Sequence, residues 1–453
     1  MKDYIKKILA IAVPIMLSNL ISQLQMLIDK VFIGRLSLES MSAVGNASTP
    51  MWTTMSIIFA LTTGATILVS QLYGANELDK ATATLASVFK FNNGIGIILF
   101  LFWFFTPQVA FNLIGVDESI IGMSIDYAHY FAPIFILTGI GASISCMLQV
   151  SQKTQIMVWY GVSRSLANVV LDYILIFGHF GLPAMGVKGA AIATTLAELL
   201  GDAIVLVYVL TAKDIVIRPK FIQILEAKLS LYTDTIKFGA PAACEEFAWN
   251  LGHLYLIAML NKISVEAAGI HSIVFSVELI AVVVSGSFGT AALTLSGYET
   301  GRKNVKGVWD VVMCSSYLAW GFSVINLVFF LLFPNQILGI FTKDKAVLAA
   351  APLYLLIVGL DLFPKSGNII FGSGIKGYGE PSWMLKTQLF GTFFVVAMSS
   401  VIVMVFHRGI LEIFGLVVVD EILRFVLNSW KLRKIRGESE SLVLQEVAQE
   451  DLY

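Results

Sequence analysis

The chain has 453 residues, 57% of them hydrophobic and only 13% charged, with a mean hydropathy of +0.81. A soluble domain carries about 25% charged residues, so no single aqueous core can hide this apolar surface, and the composition is that of a polytopic membrane protein. A formal net charge of −1 argues against nucleic acid as a partner; the lipid bilayer and a small molecule are the partners to expect, and the working unit is expected to be a monomer.

Residues 1–7, MKDYIKK, are basic, and the apolar run behind them has no small-residue cleavage site and is long enough to span. It reads as a first transmembrane helix rather than a signal peptide. A span needs about 20 apolar residues. Twelve such runs follow one another, near 8–33, 46–72, 88–106, 123–149, 157–179, 187–211, 233–261, 268–296, 309–333, 346–374, 384–406 and 409–430. The expected fold class is all-α, with twelve transmembrane helices in two pseudo-symmetric six-helix bundles. The longest polar connection, residues 211–237, separates six runs from six. It sets the expected organisation as a first bundle over 1–211 holding a cation site, a cytoplasmic linker over 212–232, a second bundle over 233–435 and a cytoplasmic tail over 436–453.

Lys and Arg concentrate in cytoplasmic loops. With the N-terminus inside, Lys2, Lys6, Lys7, Lys213, Arg218, Lys220, Arg302, Lys303, Lys306 and the KLRKIR run all fall on the cytoplasmic side. Arg35, Lys188, Lys262, Lys343, Lys345 and Arg408 fall outside. Both termini are therefore expected in the cytoplasm, and the protein in the inner cell membrane.

The halves read as copies. Pro14 matches Pro241 at an offset of 227, as QLYGANELDKA (71–81) matches YETGRKNVKGV (298–308) and MLQVSQKT (147–154) matches GIKGYGEP (374–381). AVGNAS at 43–48 also resembles AAGIHS at 267–272. Transporters are commonly built from such repeats, with the substrate path between the halves. The three cysteines, Cys146, Cys244 and Cys314, sit in apolar runs without metal-ligand spacing and read as core packing. GSGIKG at 372–377 matches a dinucleotide fingerprint but lies at the end of a membrane helix with no βαβ unit around it. No Walker motif and no Asp-Asp-x-x-Asp site are present. An enzyme, an ATP-driven pump and a bound cofactor are not expected.

Four stretches, IDKVFIGRLSLESMSAVGNAS (28–48), GATILVSQLYGA (64–75), NVVLDYILIFG followed by GVKGAAIAT (168–194) and PAACEEFAWNLG (241–252), resemble the multidrug and toxic compound extrusion (MATE) family of antiporters. The likeness covers almost all of residues 1–435. The Asn-x-x-x-Asp followed by Gly-x-x-Gly-Ala-Ala-x-Ala-Thr is its most specific part. The resemblance implies secondary active efflux, with H⁺ or Na⁺ exchanged for amphipathic, often cationic, compounds. It also implies that helix 1 bends at its proline, making Pro14 a hinge. The chain departs from the family where Leu-Arg-Gly-x-Gly-Asp is usual and IKGYGE stands here, with Lys376 and Glu380, and where Lys365 replaces an acidic residue of some branches. A lipid-linked saccharide flippase of the wider superfamily, or a non-transporting membrane receptor, is the alternative reading.

Depth along the helices brings Asp29, Asn168, Asp172 and Thr194 together. Asp29 lies about four residues from the outer end of helix 1, Asp172 about seven from that of helix 5, and Thr194 about seven into helix 6. At the helical rise these agree in depth to roughly 5 Å. Two carboxylates, an amide and a hydroxyl are hard oxygen ligands for a small cation such as Na⁺, and a carboxyl pair can instead hold a proton. The offset puts Val395 opposite Asn168 and Ser399 opposite Asp172, so the fold does not itself demand the pair. Asp29 capping its helix beside Lys30 is the structural alternative.

In the second half, Glu245, Glu246, Trp249, Asn250 and His253 lie mid-helix 7 and Lys365 mid-helix 10, as candidates for substrate contact or coupling. A buried Lys needs a partner. Glu245 or Glu246 is the expected one, with Asp361 the local alternative. Glu198, Asp202, Glu278, Asp420, Glu421 and Arg424 read as structural or lining residues, with an Asp420–Arg424 bridge expected.

Overall fold

The computed structural model describes residues 1–450, and among these it contains sixteen helices, one π-helical turn and no strand. The first half consists of α1 (Lys2–Gly34), α2 (Leu38–Gly74), α3 (Leu78–Phe105), a short α4 (Pro107–Leu113), α5 (Glu118–Phe131), α6 (Ile134–Val150), α7 (Ile156–Phe177) and α8 (Val187–Thr211). A surface turn, α9 (Phe221–Glu226), leads into α10 (Leu229–Ile263), α11 (Val265–Gly301), α12 (Val305–Leu332), a short α13 (Pro334–Gly339), α14 (Lys345–Tyr378), α15 (Pro381–Ser400) with its π-helical extension Val401–Val405, and α16 (Ile410–Glu450).

All twelve expected runs are helical. α5 and α6 form the fourth span, bent by 42° where Pro133 interrupts the backbone ladder. Among the described residues, eight helices are long and apolar enough to span by themselves; the rest are shorter, bent or more polar, α7 and α16 carrying buried ionisable groups. Side chains such as Phe105, Leu113, Leu210 and Phe393 are more than 60% exposed, which suits contact with lipid chains and not with water.

The duplication runs through the whole backbone. α2 and α11 begin and end 227 residues apart, as do α3 and α12, and α4 and α13 each open on a proline at that offset. Three pairs of left-handed residues obey it too: Asn76 and Lys303, Gln152 and Gly379, Phe180 and His407. This register puts 43–48 opposite 270–275, so the likeness of AVGNAS to AAGIHS is three residues out of step and is not part of the repeat.

Contacts divide the chain into two units. One comprises Val13–Val69 and Glu77–Gly239; the other comprises Met1–Ala12, Ser70–Asn76 and the chain from Ala240 on. α1, α2 and α10 thus contribute to both. The change of unit falls two residues before Pro14 in α1 and two before Pro241 in α10. The polar connection packs on the first unit, where Lys90 donates to the carbonyls of Leu225 and Ala227 at 2.7 and 3.1 Å and the Tyr232 hydroxyl donates to Asn92 at 2.7 Å. Of the expected cytoplasmic tail, 451–453 lie outside the described residues.

The core of the first unit is aromatic and methionine-rich, with Met51, Met55, Trp103, Phe111, Phe131 and Phe135 fully enclosed. In the second unit, Val274, Phe330, Leu338, Leu355, Leu362 and Phe414 pack together. Cys146 and Cys314 are buried, but Cys244 is exposed, because it lies on the outward face of α10 one turn before the exposed Phe247.

Candidate functional site

Two glycines set α7 in place. A Cβ at Gly161 would lie 2.6 Å from Ser18 Oγ on α1, and one at Gly189 would lie 2.6 Å from the Leu175 carbonyl oxygen. Small residues at both contacts let α7 approach α1 and α8 backbone-close. The polar side chains between those contacts are thereby pushed together.

Asp29, Asn168, Asp172 and Thr194 converge there. The Asp29 and Asp172 carboxyl groups lie close enough to interact directly. Gln25 Nε2 donates to the Asn168 carbonyl oxygen at 2.7 Å and to Asp29 Oδ2 at 3.3 Å, and Asn168 Nδ2 donates to Thr194 Oγ1 at 3.3 Å. Turned over, the Asn168 amide donates instead to Asp29 Oδ1 at 2.8 Å. Asn168 is 0% and Asp172 1% exposed, and Asp172 Oδ1 has no hydrogen-bond partner. Asp29 is therefore turned into the bundle, not held at the helix end by Lys30, which is exposed.

Gln25, and Ser165, whose hydroxyl donates to Gln25 Oε1 at 3.0 Å, were not singled out from sequence. Gln25 stands one turn before Asp29, and Ser165 one turn before Asn168. That helical spacing is the signal that could have found them.

One turn earlier on α7 lies a second polar cluster. Arg164 pairs with Glu198 at 3.1 Å and donates to Ser22 Oγ at 2.6 Å, and the Tyr160 hydroxyl donates to Glu198. Asp202, a turn beyond Glu198 on α8, is 7% exposed with Oδ2 unpartnered.

In the second unit the expected partner of Lys365 is overturned. Its ammonium contacts Glu278 of α11, Asp361 at 2.7 Å and Glu421 of α16 at 3.9 Å. Glu245 is instead bound by Lys376, 3.3 Å away, so the departing motif IKGYGE serves α10. Lys376 and Lys365 are eleven residues apart, about 16 Å along the helix, and one glutamate cannot reach both. Glu246, Trp249 and Asn250 are exposed. Asn250 Nδ2 donates to the Glu246 carbonyl at 2.9 Å, and Trp249 stacks on His253 with ring centroids 5.3 Å apart. These α10 residues therefore do not meet Lys365. Arg424 holds Asp420 at 2.8 Å, as expected, and also Glu421 at 2.9 Å. Asn368 donates to Glu421 at 2.6 Å.

Comparison with known proteins agrees with this duplicated helical fold. A family model described as MatE matches residues 14–174 and again 241–402, two stretches that begin 227 residues apart. A probable multidrug resistance protein NorM of Thermotoga maritima is 28% identical over 83% of this chain and 80% of its own length. A protein of the same description from Mannheimia succiniciproducens is 23% identical over 97% of this chain and 96% of its own. Among solved structures, an outward-facing multidrug resistance MATE family transporter of the MOP superfamily superposes with a TM-score of 0.88 at 17% identity, covering 96% of this chain and 97% of that one. A MOP superfamily transporter from Pyrococcus furiosus, described as having a binding pocket of reverse polarity, gives 0.84 at 17% identity over 97% and 96%. The structural likeness speaks for the fold. The two family matches together take in well over half of the residues, and the chain belongs to the MatE family.

Proposed function

We propose that this protein is a secondary active exporter in the inner cell membrane, with both termini cytoplasmic. It exchanges H⁺ or Na⁺ for amphipathic organic cations by alternating access between its two bundles. The observation that carries the reading is the Asp29–Asp172 pair with Asn168, Thr194 and Gln25. A carboxylate in hydrocarbon costs from about 3 to above 10 kcal/mol, and the pair has no counterpart in the second half of the repeat. Such a group is retained for an ion that comes and goes. The names of the relatives, multidrug resistance proteins, favour the same cargo.

The excess of carboxylates favours a cationic cargo over a lipid-linked saccharide. Around Lys365 and Arg424 stand Glu278, Asp361, Asp420 and Glu421, whereas a flippase for anionic lipid carriers needs a cationic cavity. Pro14, beside the point where α1 changes unit, serves as the hinge.

The test is counterflow in proteoliposomes, with pH and Na⁺ gradients imposed separately. Efflux of organic cations driven by one gradient and lost in Asp172→Asn supports the proposal. A drug affinity unmoved by coupling-ion activity contradicts it, because exchange requires the two ligands to oppose each other.

A further inference from the structure

We propose that the adjoining ends of α15 and α16 form a binding site for an anionic phospholipid. Lys386, Arg433 and Lys434 hold its phosphate, and its acyl chains lie along the exposed faces of the two helices. The site stands apart from the exchange machinery. The proposed topology enters only in placing it in the cytoplasmic leaflet.

Trp383, in the first turn of α15, and Trp430 of α16 fix the level of the site. Their rings are 5.9 Å apart, and Trp383 Nε1 donates to Asn428 Oδ1 at 3.0 Å. Deeper in the span, Arg424 of α16 donates to Gln388 Oε1 of α15 at 2.9 Å. The two helices therefore run antiparallel, side by side. Each carries an exposed row away from its tryptophan. On α15 the row is Lys386, Phe390 and Phe393, at i, i+4 and i+7. On α16 it is Ile422, Val426 and Trp430, and the same spacing continues into Lys434. The five apolar members are between 46% and 74% exposed, which suits acyl chains. Indole rings at the end of such rows mark the headgroup level.

The rows end in cations that are only partly matched. Lys431 pairs with Glu380 and lies over the Trp383 ring, 5.6 Å from its centroid. Lys434 lies 5.6 Å over Trp430 and meets Glu438 at 3.6 Å. Lys386 and Arg433 are exposed and form no ion pair among the described residues. Four cations thus face two carboxylates, and two positive charges are left for a ligand. Lys386 also stands three residues deeper than Trp383, about 4.5 Å at helical rise. An ammonium below the indole level has to reach up to an anion at the headgroups.

This combination selects the ligand. A phosphodiester without a cationic headgroup supplies the missing charge, and its chains cover the two rows. Phosphatidylcholine brings its own ammonium, and inorganic phosphate has no chains. The indole faces hold Lys431 and Lys434 in place, so less freedom is lost when the lipid arrives. A phosphate shared by Lys386 and Arg433 ties α15 to α16 at their ends, as Gln388 and Arg424 do within the span. Binding should therefore stabilise the fold.

The experiment uses the full chain in an uncharged detergent, titrated with dioleoylphosphatidylglycerol. Bound lipid is counted by native mass spectrometry, and the melting temperature is followed in parallel. Dioleoylphosphatidylcholine and inorganic phosphate serve as the other two probes. Phosphatidylglycerol alone is expected to remain bound and to raise the melting temperature. The combined variant Lys386→Gln, Arg433→Gln, Lys434→Gln should lose about ten-fold or more in phosphatidylglycerol affinity. Lys386→Gln alone, which leaves the KLRKIR run whole, should lose part of it. A control that removes the exposed Lys6, Lys213 and Lys303 in the same way should stay within about two-fold of wild type. Equal losses in the control and the combined variant would show diffuse attraction to anionic lipid and overturn the proposal. Unchanged affinity in the combined variant overturns it, and so does equal stabilisation by phosphatidylcholine or by inorganic phosphate. None of these readings involves transport, so the exchange function is tested separately by counterflow.

Discussion

Gln25 on α1 meets the side-chain amide of Asn168 on α7, Nε2 to Oδ1 at 2.7 Å, joining residues 143 positions apart in the chain. The same amide accepts from Ser165 and donates to Asp29. Gln25 thus holds in place both an Asp and an Asn of the proposed ion site without being one of the expected ligands. Outer partners of this kind typically tune ion affinity by 10- to 100-fold. Gln25→Leu should weaken coupling-ion affinity by about ten-fold or more, read by titration calorimetry in detergent. It should also cost about 1–3 kcal/mol through the partners left unsatisfied. Unchanged affinity in a folded variant would mean that Asn168 is positioned by something else.

Asp172→Asn should abolish coupled transport while leaving a folded protein. Asp172 Oδ1 is buried without a partner, so removing the charge removes a desolvation cost and the melting temperature should hold or rise. Efflux at the wild-type rate in this variant would sink the site assignment.

Lys365 is held by Glu278 and Asp361. Lys365→Met leaves those carboxylates uncompensated, which typically costs about 3–5 kcal/mol. Combining it with Glu278→Gln should recover part of that loss, with a coupling energy above about 1 kcal/mol in a double-mutant cycle on thermal or denaturant stability. The cycle with Glu245→Gln should be additive, since Glu245 belongs to Lys376. Coupling to Glu245 in place of Glu278 would refute the arrangement around Lys365.

Gly189→Ala places a methyl 2.6 Å from the Leu175 carbonyl, where backbone must yield. Overpacking of this sort costs about 1–3 kcal/mol. Because the same contact sets Thr194 against Asn168, ion affinity should fall together with the melting temperature. A variant that loses stability and binds the ion as wild type does would separate the packing of α7 on α8 from the site.

The sequence by itself determined the twelve membrane helices and the register of the duplication, because both are written in local composition. An apolar run about 20 residues long has one way to satisfy its backbone in hydrocarbon, and an offset of 227 can be counted. It also determined that Asp29, Asn168, Asp172 and Thr194 share a depth, since helical rise converts residue number into height. Only the tertiary structure decided which side chains at one depth face each other. α10 and α14 carry charges whose heights looked compatible, yet Lys365 turns to α11 and α16, and Glu245 meets Lys376. Arg164, whose partners lie on α1 and α8, stayed hidden for the same reason. Rise along an axis is one coordinate, and the rotation of each helix and the choice of its neighbours are set by close packing, at Gly161 and Gly189 above all, which no single segment contains.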